Sequence, residues 1–330
     1  MRRREFIRLV SGAVAGWPLA AARAQQPERV RRVGVLIAFA ADDPEAKARI
    51  AKFDSELNDR GWSEGRQVHI DARFAAGNPD QYSGLAKELI ALQPDVIVAH
   101  TTLVTAALQR QTHAIPIVFV NVSDPIGAGF VGSLTRPGGN LTGVLLYEAG
   151  VVGKWLALLK EIEPRLTRVA FIGNPKTGPI DYILRAAVAA APSLAIELVP
   201  SRIETASDIE HAIESFAAEP NGGLLIPPDT TMVTQRDLIL ALAARHRLPA
   251  VYPFRLFVVA GGLMAYETPQ VELFGQAAGY VDRILRGANP SELPVQTPTK
   301  FETILNLKTA KALGLDVPSS LVVRADEVIE

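Results

Sequence analysis

From Arg32 to Val122, short apolar runs rich in β-branched residues alternate with stretches whose apolar residues return every three or four positions. Val33–Phe39, Asp95–Ala99 and Pro116–Val122 are continuous apolar runs, the pattern of strands buried on both faces, while Val68–Phe74 alternates as a half-buried strand does. Pro44–Arg60, Pro79–Leu92 and Leu103–Thr112 have the helical spacing, and Gly61 stops the first of them. This β-α-β-α rhythm predicts a parallel sheet with helices on both faces. The second half repeats it. His100-Thr101-Thr102-Leu103-Val104-Thr105 follows one strand-like run, and Asp229-Thr230-Thr231-Met232-Val233-Thr234 follows another. His113-Ala114-Ile115-Pro116 and His246-Arg247-Leu248-Pro249 each open the next run, and the interval from Val68 to Val96 equals that from Ile196 to Leu224. Together these echoes predict two similar α/β lobes.

Ile115–Tyr147 closes the first lobe and opens the second. Its strand ends at Ser123-Asp124-Pro125, where Ser123 and Asp124 can bond local backbone and Pro125 lacks an N–H. Arg136-Pro137-Gly138-Gly139-Asn140 must turn, and Asn140–Tyr147 is a strand or hinge leaving the lobe. Gly127-Ala128-Gly129-Phe130-Val131-Gly132 satisfies G-x-G-x-x-G, with Glu148 about twenty residues on, so an NAD(P)-dependent α/β oxidoreductase is the alternative from another functional class. The context opposes it: Ser-Asp-Pro separates the first glycine from the strand, and Arg136-Pro137-Gly138 stops any helix after about two turns. In the tail, Pro269–Gly287 reads as a long helix returning to the first lobe, Phe301–Leu307 as a strand of the second, and Asn306–Gly314 as a short helix.

Composition and charge narrow the class. Arg3-Arg4-Glu5-Phe6-Ile7-Arg8, the mildly apolar Leu9–Ala21 and Ala22-Arg23-Ala24 before Gln25 resemble a twin-arginine export signal cleaved after Ala24. The expected location is the periplasm, with a soluble mature chain, because no later segment reaches the length of a membrane span. The absence of cysteine removes disulfides, thiol nucleophiles and zinc–thiolate sites. A net charge of −1 with no basic run beyond the signal gives nucleic acid no foothold. No nucleophile elbow, P-loop or H-E-x-x-H spacing occurs, so no catalytic residue, cofactor or metal is assigned and the chain reads as a non-enzyme.

In parallel sheets, ligands bind outside the carboxyl ends of the strands, where helix N-termini present free N–H groups. Thr101 and Thr102 sit at such an end and suit a carboxylate; Asp229, with Thr230, is placed for an ammonium or a hydroxyl. The competing reading makes all of them N-caps. Ser123 and Asp124 at the next strand end join the candidates, as do Phe39, whose ring can wall an aromatic ligand, and Tyr266, beside a lobe crossing. Tyr147 flanks another crossing, and His100 reads as a structural hydrogen-bonding residue.

Several segments carry a family resemblance, in order along essentially the whole mature chain. They include Ile115–Val118, Asp124-Pro125, Arg136-Pro137-Gly138-Gly139-Asn140-Leu141-Thr142-Gly143, Gly261-Gly262-Leu263-Met264-Ala265-Tyr266, Tyr280–Ala288, Pro298–Glu302 and Asn306–Gly314. The sequence resembles the ABC transporter substrate-binding protein family that includes the tryptophan/tyrosine-type binding proteins. The resemblance implies a type I periplasmic-binding fold: α/β, with two Rossmann-like parallel-sheet lobes and a three-crossing hinge. The implied function is capture of a small carboxylate-bearing ligand, an amino acid or aromatic acid, by hinge closure, and delivery by a monomeric protein to an ABC permease and its ATPase. A periplasmic sensor that hands its closed form to a receptor is the third reading. The crossings are expected near 143–147, 255–272 and 288–300. The N-terminal lobe is then 28–145 plus about 268–290, and the C-terminal lobe 146–267 plus about 291–330. Where relatives often read Gly-Leu-Met-Ser-Tyr-Gly, this chain has Gly262-Leu263-Met264-Ala265-Tyr266-Glu267, and Glu267 is expected as a solvated charge at the cleft edge.

Overall fold

The apolar runs become the interior of two sheets. The computed structural model describes residues 29–330, and the export-signal reading of 1–24 lies outside them. In the first sheet, β1 (Arg31–Ile37), β2 (Val68–Phe74), β3 (Val96–His100), β4 (Ile117–Val122) and β5 (Leu141–Leu145) run parallel in the order β2-β1-β3-β4-β5. β3, β4 and β5 are buried along their whole length, which only a sheet covered on both faces allows. The covering helices are α1 (Pro44–Asp59), α2 (Tyr82–Ala91) and α3 (Thr102–Gln109). Asp43 starts α1 by accepting from the Glu45 and Ala46 N–H groups, with Pro44 at the first helical position.

The second lobe contains α4 (Gly150–Ile162), β6 (Arg168–Gly173), α5 (Ile180–Ala190), β7 (Glu197–Arg202), α6 (Ala206–Ala217), β8 (Gly222–Leu225), α7 (Thr230–Thr234), α8 (Arg236–Arg245), β9 (Ala250–Tyr252), α9 (Arg255–Val259) and β10 (Met264–Glu267). After α10 (Gln270–Leu285), β11 (Glu302–Asn306), α11 (Leu307–Leu313), α12 (Ser319–Arg324) and β12 (Glu327–Ile329) complete the described chain. Its sheet has the order β12-β11-β10-β9-β8-β6-β7. The segment β7-β6-β8-β9-β10 repeats the strand order of the first lobe, so the echo in the sequence is an echo of topology. β11 pairs antiparallel with β10 and extends the edge.

Three stretches join the lobes. After β5 the chain leaves through Leu146–Ala149. Within the region 255–272, α9 and β10 lie inside the second lobe, and the change of lobe falls at Thr268–Gln270. Thr268 Oγ1 ties this to the first stretch by donating to the Leu146 carbonyl at 3.1 Å. α10 then packs on α1 and behind β3, β4 and β5. Trp62 Nε1 donates to Asp282 Oδ1 at 2.8 Å, pinning the α1–β2 loop to α10. The chain stays beside β5 as far as Gln296, whose N–H donates to the Gly143 carbonyl and whose carbonyl accepts from Leu145. Gly143 itself has φ +157, and a Cβ there would lie 2.0 Å from the Phe119 carbonyl oxygen, so β4 and β5 can approach this closely only over a glycine.

Candidate functional site

The carboxyl ends of β1, β3 and β4 meet those of β6 and β8 across the gap between lobes, around a small chamber. It lies at the strand ends where parallel sheets bind ligands. Leu103, Leu146, Pro179 and Val233 supply apolar wall, and Phe39 and Phe254 aromatic wall.

Arg49 dominates the first-lobe side. It stands on the stripe of α1 that buries Ala46, Phe53 and Leu57, and its side chain is 1% exposed. Its Nη2 pairs with Glu45 at 3.2 Å, and the guanidinium lies over the Phe39 ring at 5.0 Å. Burial lowers its pKa, but a guanidinium stays charged. Its Nε has no partner, which leaves a desolvated cationic donor at the chamber.

Beside it, His100 is buried between the rings of Phe39 and Phe274. Burial, and then the charge of Arg49, holds its pKa well below the ordinary value, so the ring is neutral. The Ala38 N–H donates to Nδ1 at 3.3 Å, while Arg49 Nη1 and Asn121 Nδ2 lie 3.4 and 3.3 Å from Nε2. A neutral imidazole offers one acceptor, so whichever ring nitrogen carries the proton, at least one of these three N–H donors meets no lone pair. Rotating the Asn121 amide would set its oxygen against Gln270 Oε1, to which Nδ2 now donates. The wall is therefore rich in donors and carries a positive charge, as a carboxylate requires.

The adjoining backbone is strained. Thr101 has φ 82 and ψ 160, and Asn121 has φ 61 at the register shift between β4 and β5. Non-glycine residues hold such angles only where the surroundings impose them, commonly at binding sites. The Thr101 side chain makes no capping bond to α3. Thr102 Oγ1, Asn121 Oδ1 and Ser123 Oγ are buried without partners, so this wall leaves three oxygens as well as Arg49 Nε unsatisfied. Ser123 Oγ lies next to the Tyr147 hydroxyl, whose pKa burial raises, without a bond of good geometry between them. In a well-packed protein such atoms are few.

The second-lobe side is satisfied internally. Asp229 is the N-cap of α7: Oδ1 accepts from the Thr231 N–H at 2.7 Å, the Met232 N–H at 3.4 Å and the Thr177 hydroxyl at 2.6 Å. Oδ2 accepts from the Asn174 N–H at 2.6 Å. Burial raises its pKa against the pull of these four donors. The carboxylate ties the β6–α5 loop to the start of α7 and has little acceptor capacity left for an ammonium.

Of the residues singled out in the sequence, Phe39, Thr101, Thr102, Ser123, Asp229 and Thr230 border the chamber, and Asp124 and Tyr266 do not. Asp124 Oδ1 accepts from the Gly127 N–H at 2.8 Å and its carbonyl from Ala128, so Gly127–Gly132 is folded into turns and opens no helix for a dinucleotide. Tyr266 stacks on Phe301, with ring centroids 5.4 Å apart. Glu267 is no solvated edge charge. It is 8% exposed, and Oε2 accepts from the Arg255 N–H at 2.8 Å. Burial pushes its pKa up to about 8, against the pull of the Arg255 N–H. Sequence reasoning missed Arg49, Asn121 and Thr177. A signal existed for Arg49: an arginine three residues after Ala46 and four before Phe53 interrupts an apolar helical stripe.

The family model described as ABC transporter substrate binding protein matches residues 34–329. The chain belongs to this family. Among characterised relatives, it is 27% identical over 263 residues to the tyrosine-binding protein of Clostridioides difficile (strain R20291), covering 80% of this chain and 75% of the relative. The fold is that of the ABC domain in complex with L-Trp from Streptococcus pneumonia, with TM-score 0.84 and 22% identity over 91% of this chain and 99% of that one. A conserved domain protein of Vibrio cholerae O1 biovar eltor str. N16961 is equally close in fold, with TM-score 0.84 and 26% identity over 91% of this chain and all of its own. As a member of this substrate-binding family, the chain falls in a class built to hold a small molecule.

Proposed function

We propose that this family member is the periplasmic ligand-capturing component of an ABC importer, taking a small carboxylate-bearing molecule, an amino acid or aromatic acid, between its lobes. The observation that carries this reading is the donor-rich wall: a buried guanidinium with a free Nε beside partnerless Thr102 and Ser123 hydroxyls, facing apolar and aromatic surface. The carboxylate pairs with Arg49 and the hydroxyls, and the rest of the ligand packs against Phe39 and Phe254. The names of the C. difficile and S. pneumonia relatives point to tyrosine and tryptophan as first candidates. Lobe closure belongs to this reading: Arg49 and Phe39 of the first lobe and Phe254 of the second contact the ligand together, and the gain of both sets shifts the population toward the closed form. The permease and its ATPase are the partners that family membership supplies, and the protein acts as a monomer.

Calorimetric titration of residues 25–330 with tyrosine, tryptophan and benzoate tests the reading. At least one should bind, and Arg49→Met, which keeps the apolar bulk, should weaken it by about 2 kcal/mol or more, roughly thirtyfold. Thr102→Val gives a second readout on a variant that keeps α3 intact. Failure of all three carboxylates to bind, or wild-type affinity in both variants, would overturn it.

A further inference from the structure

Among the described residues, four that border the chamber carry a buried polar atom without a partner: Arg49 Nε, Thr102 Oγ1, Asn121 Oδ1 and Ser123 Oγ. These atoms do not ask the same thing of a ligand. A guanidinium nitrogen only donates and a hydroxyl turns to suit, so a carboxylate can serve Arg49, Thr102 and Ser123 together. An amide oxygen only accepts, and a carboxylate cannot serve it. Nor can the Asn121 amide turn round. The Thr268 carbonyl accepts and never donates, so the Gln270 atom that meets it at 2.8 Å is Nε2. That sets Gln270 Oε1 against Asn121, which must answer with Nδ2. The same nitrogen lies 3.3 Å from His100 Nε2, and Oδ1 is left on the other side of the amide with no donor. Asn121 and Gln270 are both buried, so bulk water does not make good the missing bond.

We infer that Asn121, oriented by Gln270, is a specificity-determining residue: its amide oxygen takes a hydrogen-bond donor, a hydroxyl or an ammonium, carried on the ligand's α-carbon. This rests on the carboxylate reading of Arg49. Asn121 Nδ2 and Arg49 Nη1 lie 3.3 and 3.4 Å from the same His100 nitrogen, so the amide stands beside the guanidinium and meets the ligand next to its carboxylate. A donor there completes the polar atoms of the wall. A 2-oxo acid instead sets a lone pair against the amide oxygen, and a bare methylene shuts that oxygen away unbonded. The acceptor is uncharged, and the Asp229 carboxylate is filled by its own four donors, so a hydroxyl serves as an ammonium does. Gln270 lies outside the chamber and opens α10 at the change of lobe. It is a positioning residue that acts through the amide it orients.

Calorimetric titration of residues 25–330 with four probes that differ only at the α-carbon tests this. They are L-tyrosine, para-hydroxyphenyllactate, para-hydroxyphenylpyruvate and para-hydroxyphenylpropionate, which carry there an ammonium, a hydroxyl, an oxo group and hydrogens alone. The weaker of the two donor-bearing probes should bind at least about tenfold tighter than the better of the other two. Asn121→Gly deletes the amide at a φ of 61 that glycine adopts freely, and Gln270→Met releases the amide to turn. In each variant that ratio should fall to within about threefold of unity. A loss of stability alone would weaken all four probes together and leave the ratio standing. If the four bind alike to the wild-type protein, or if either variant keeps the wild-type ratio, the assignment is wrong while the carboxylate reading stands. If none of the four binds, both fall.

Discussion

Replacing Asp229 with alanine asks what this residue is for. Its carboxylate is 3% exposed and accepts from two N–H groups of α7, the Thr177 hydroxyl and the Asn174 N–H. Losing the cap alone is worth about 1 kcal/mol. The buried Asn174 N–H would be left without an acceptor, a further 1–3 kcal/mol or so. The Thr177 hydroxyl loses less, because Thr231 Oγ1 stands 2.8 Å away as a replacement. The expected total is about 2–4 kcal/mol, or roughly 3–6 °C in melting temperature. Urea unfolding followed by circular dichroism should show a lower midpoint at unchanged slope. A loss below about 0.5 kcal/mol would refute the strut role. Asp229→Asn separates strut from ligand contact: because the four internal donors fill the carboxylate, the folded Asn variant should bind carboxylate ligands within about 0.7 kcal/mol of wild type. A tenfold loss, about 1.4 kcal/mol, would mean that the ligand touches Asp229 directly.

Other outcomes follow from single residues. The carboxyl of Glu267 has its pKa raised from 4.5 to about 8, so its protonated form favours folding. Stability should fall as pH rises from about 4.5 to 8, by at most about 1.4 kcal/mol per unit, and Glu267→Gln should flatten that limb of the melting curve; parallel curves would rule this out. Gly143→Ala places a methyl 2.0 Å from the Phe119 oxygen and must part β4 from β5, so soluble yield and melting temperature should collapse, whereas normal melting would mean that the strands can separate cheaply. Tyr266→Phe removes a hydroxyl outside the chamber and should leave carboxylate affinity within about twofold, a result checked in the same titrations.

Much of the fold was legible because parallel strands buried on both faces must be continuous apolar runs, and Val33–Phe39, Asp95–Ala99 and Pro116–Val122 lie within a few residues of β1, β3 and β4. The echo of His100-Thr101-Thr102 and Asp229-Thr230-Thr231 anticipated the repeated strand order, since equal strand-end chemistry follows equal topology. The chamber was partly legible for the same reason: strand ends are known from the strands, and Phe39, Thr102, Ser123 and Asp229 are strand-end residues. What the sequence by itself determined is thus the set of elements and the side of each sheet on which a ligand would sit. Tertiary structure decided which polar groups there are spent and which are free. Asp229 and Asp124 look like ligand groups in one dimension, but each is taken up by N–H donors, those of Asp229 coming partly from 55 residues away and that of Asp124 from a neighbouring turn. Arg49 and Glu267 look like surface charges, and only the packing of α1 against the strand ends and of β10 beneath α9 takes them out of water. Hydrogen-bond satisfaction and desolvation are properties of the folded neighbourhood, and neither can be summed along a chain whose partners lie far apart in sequence.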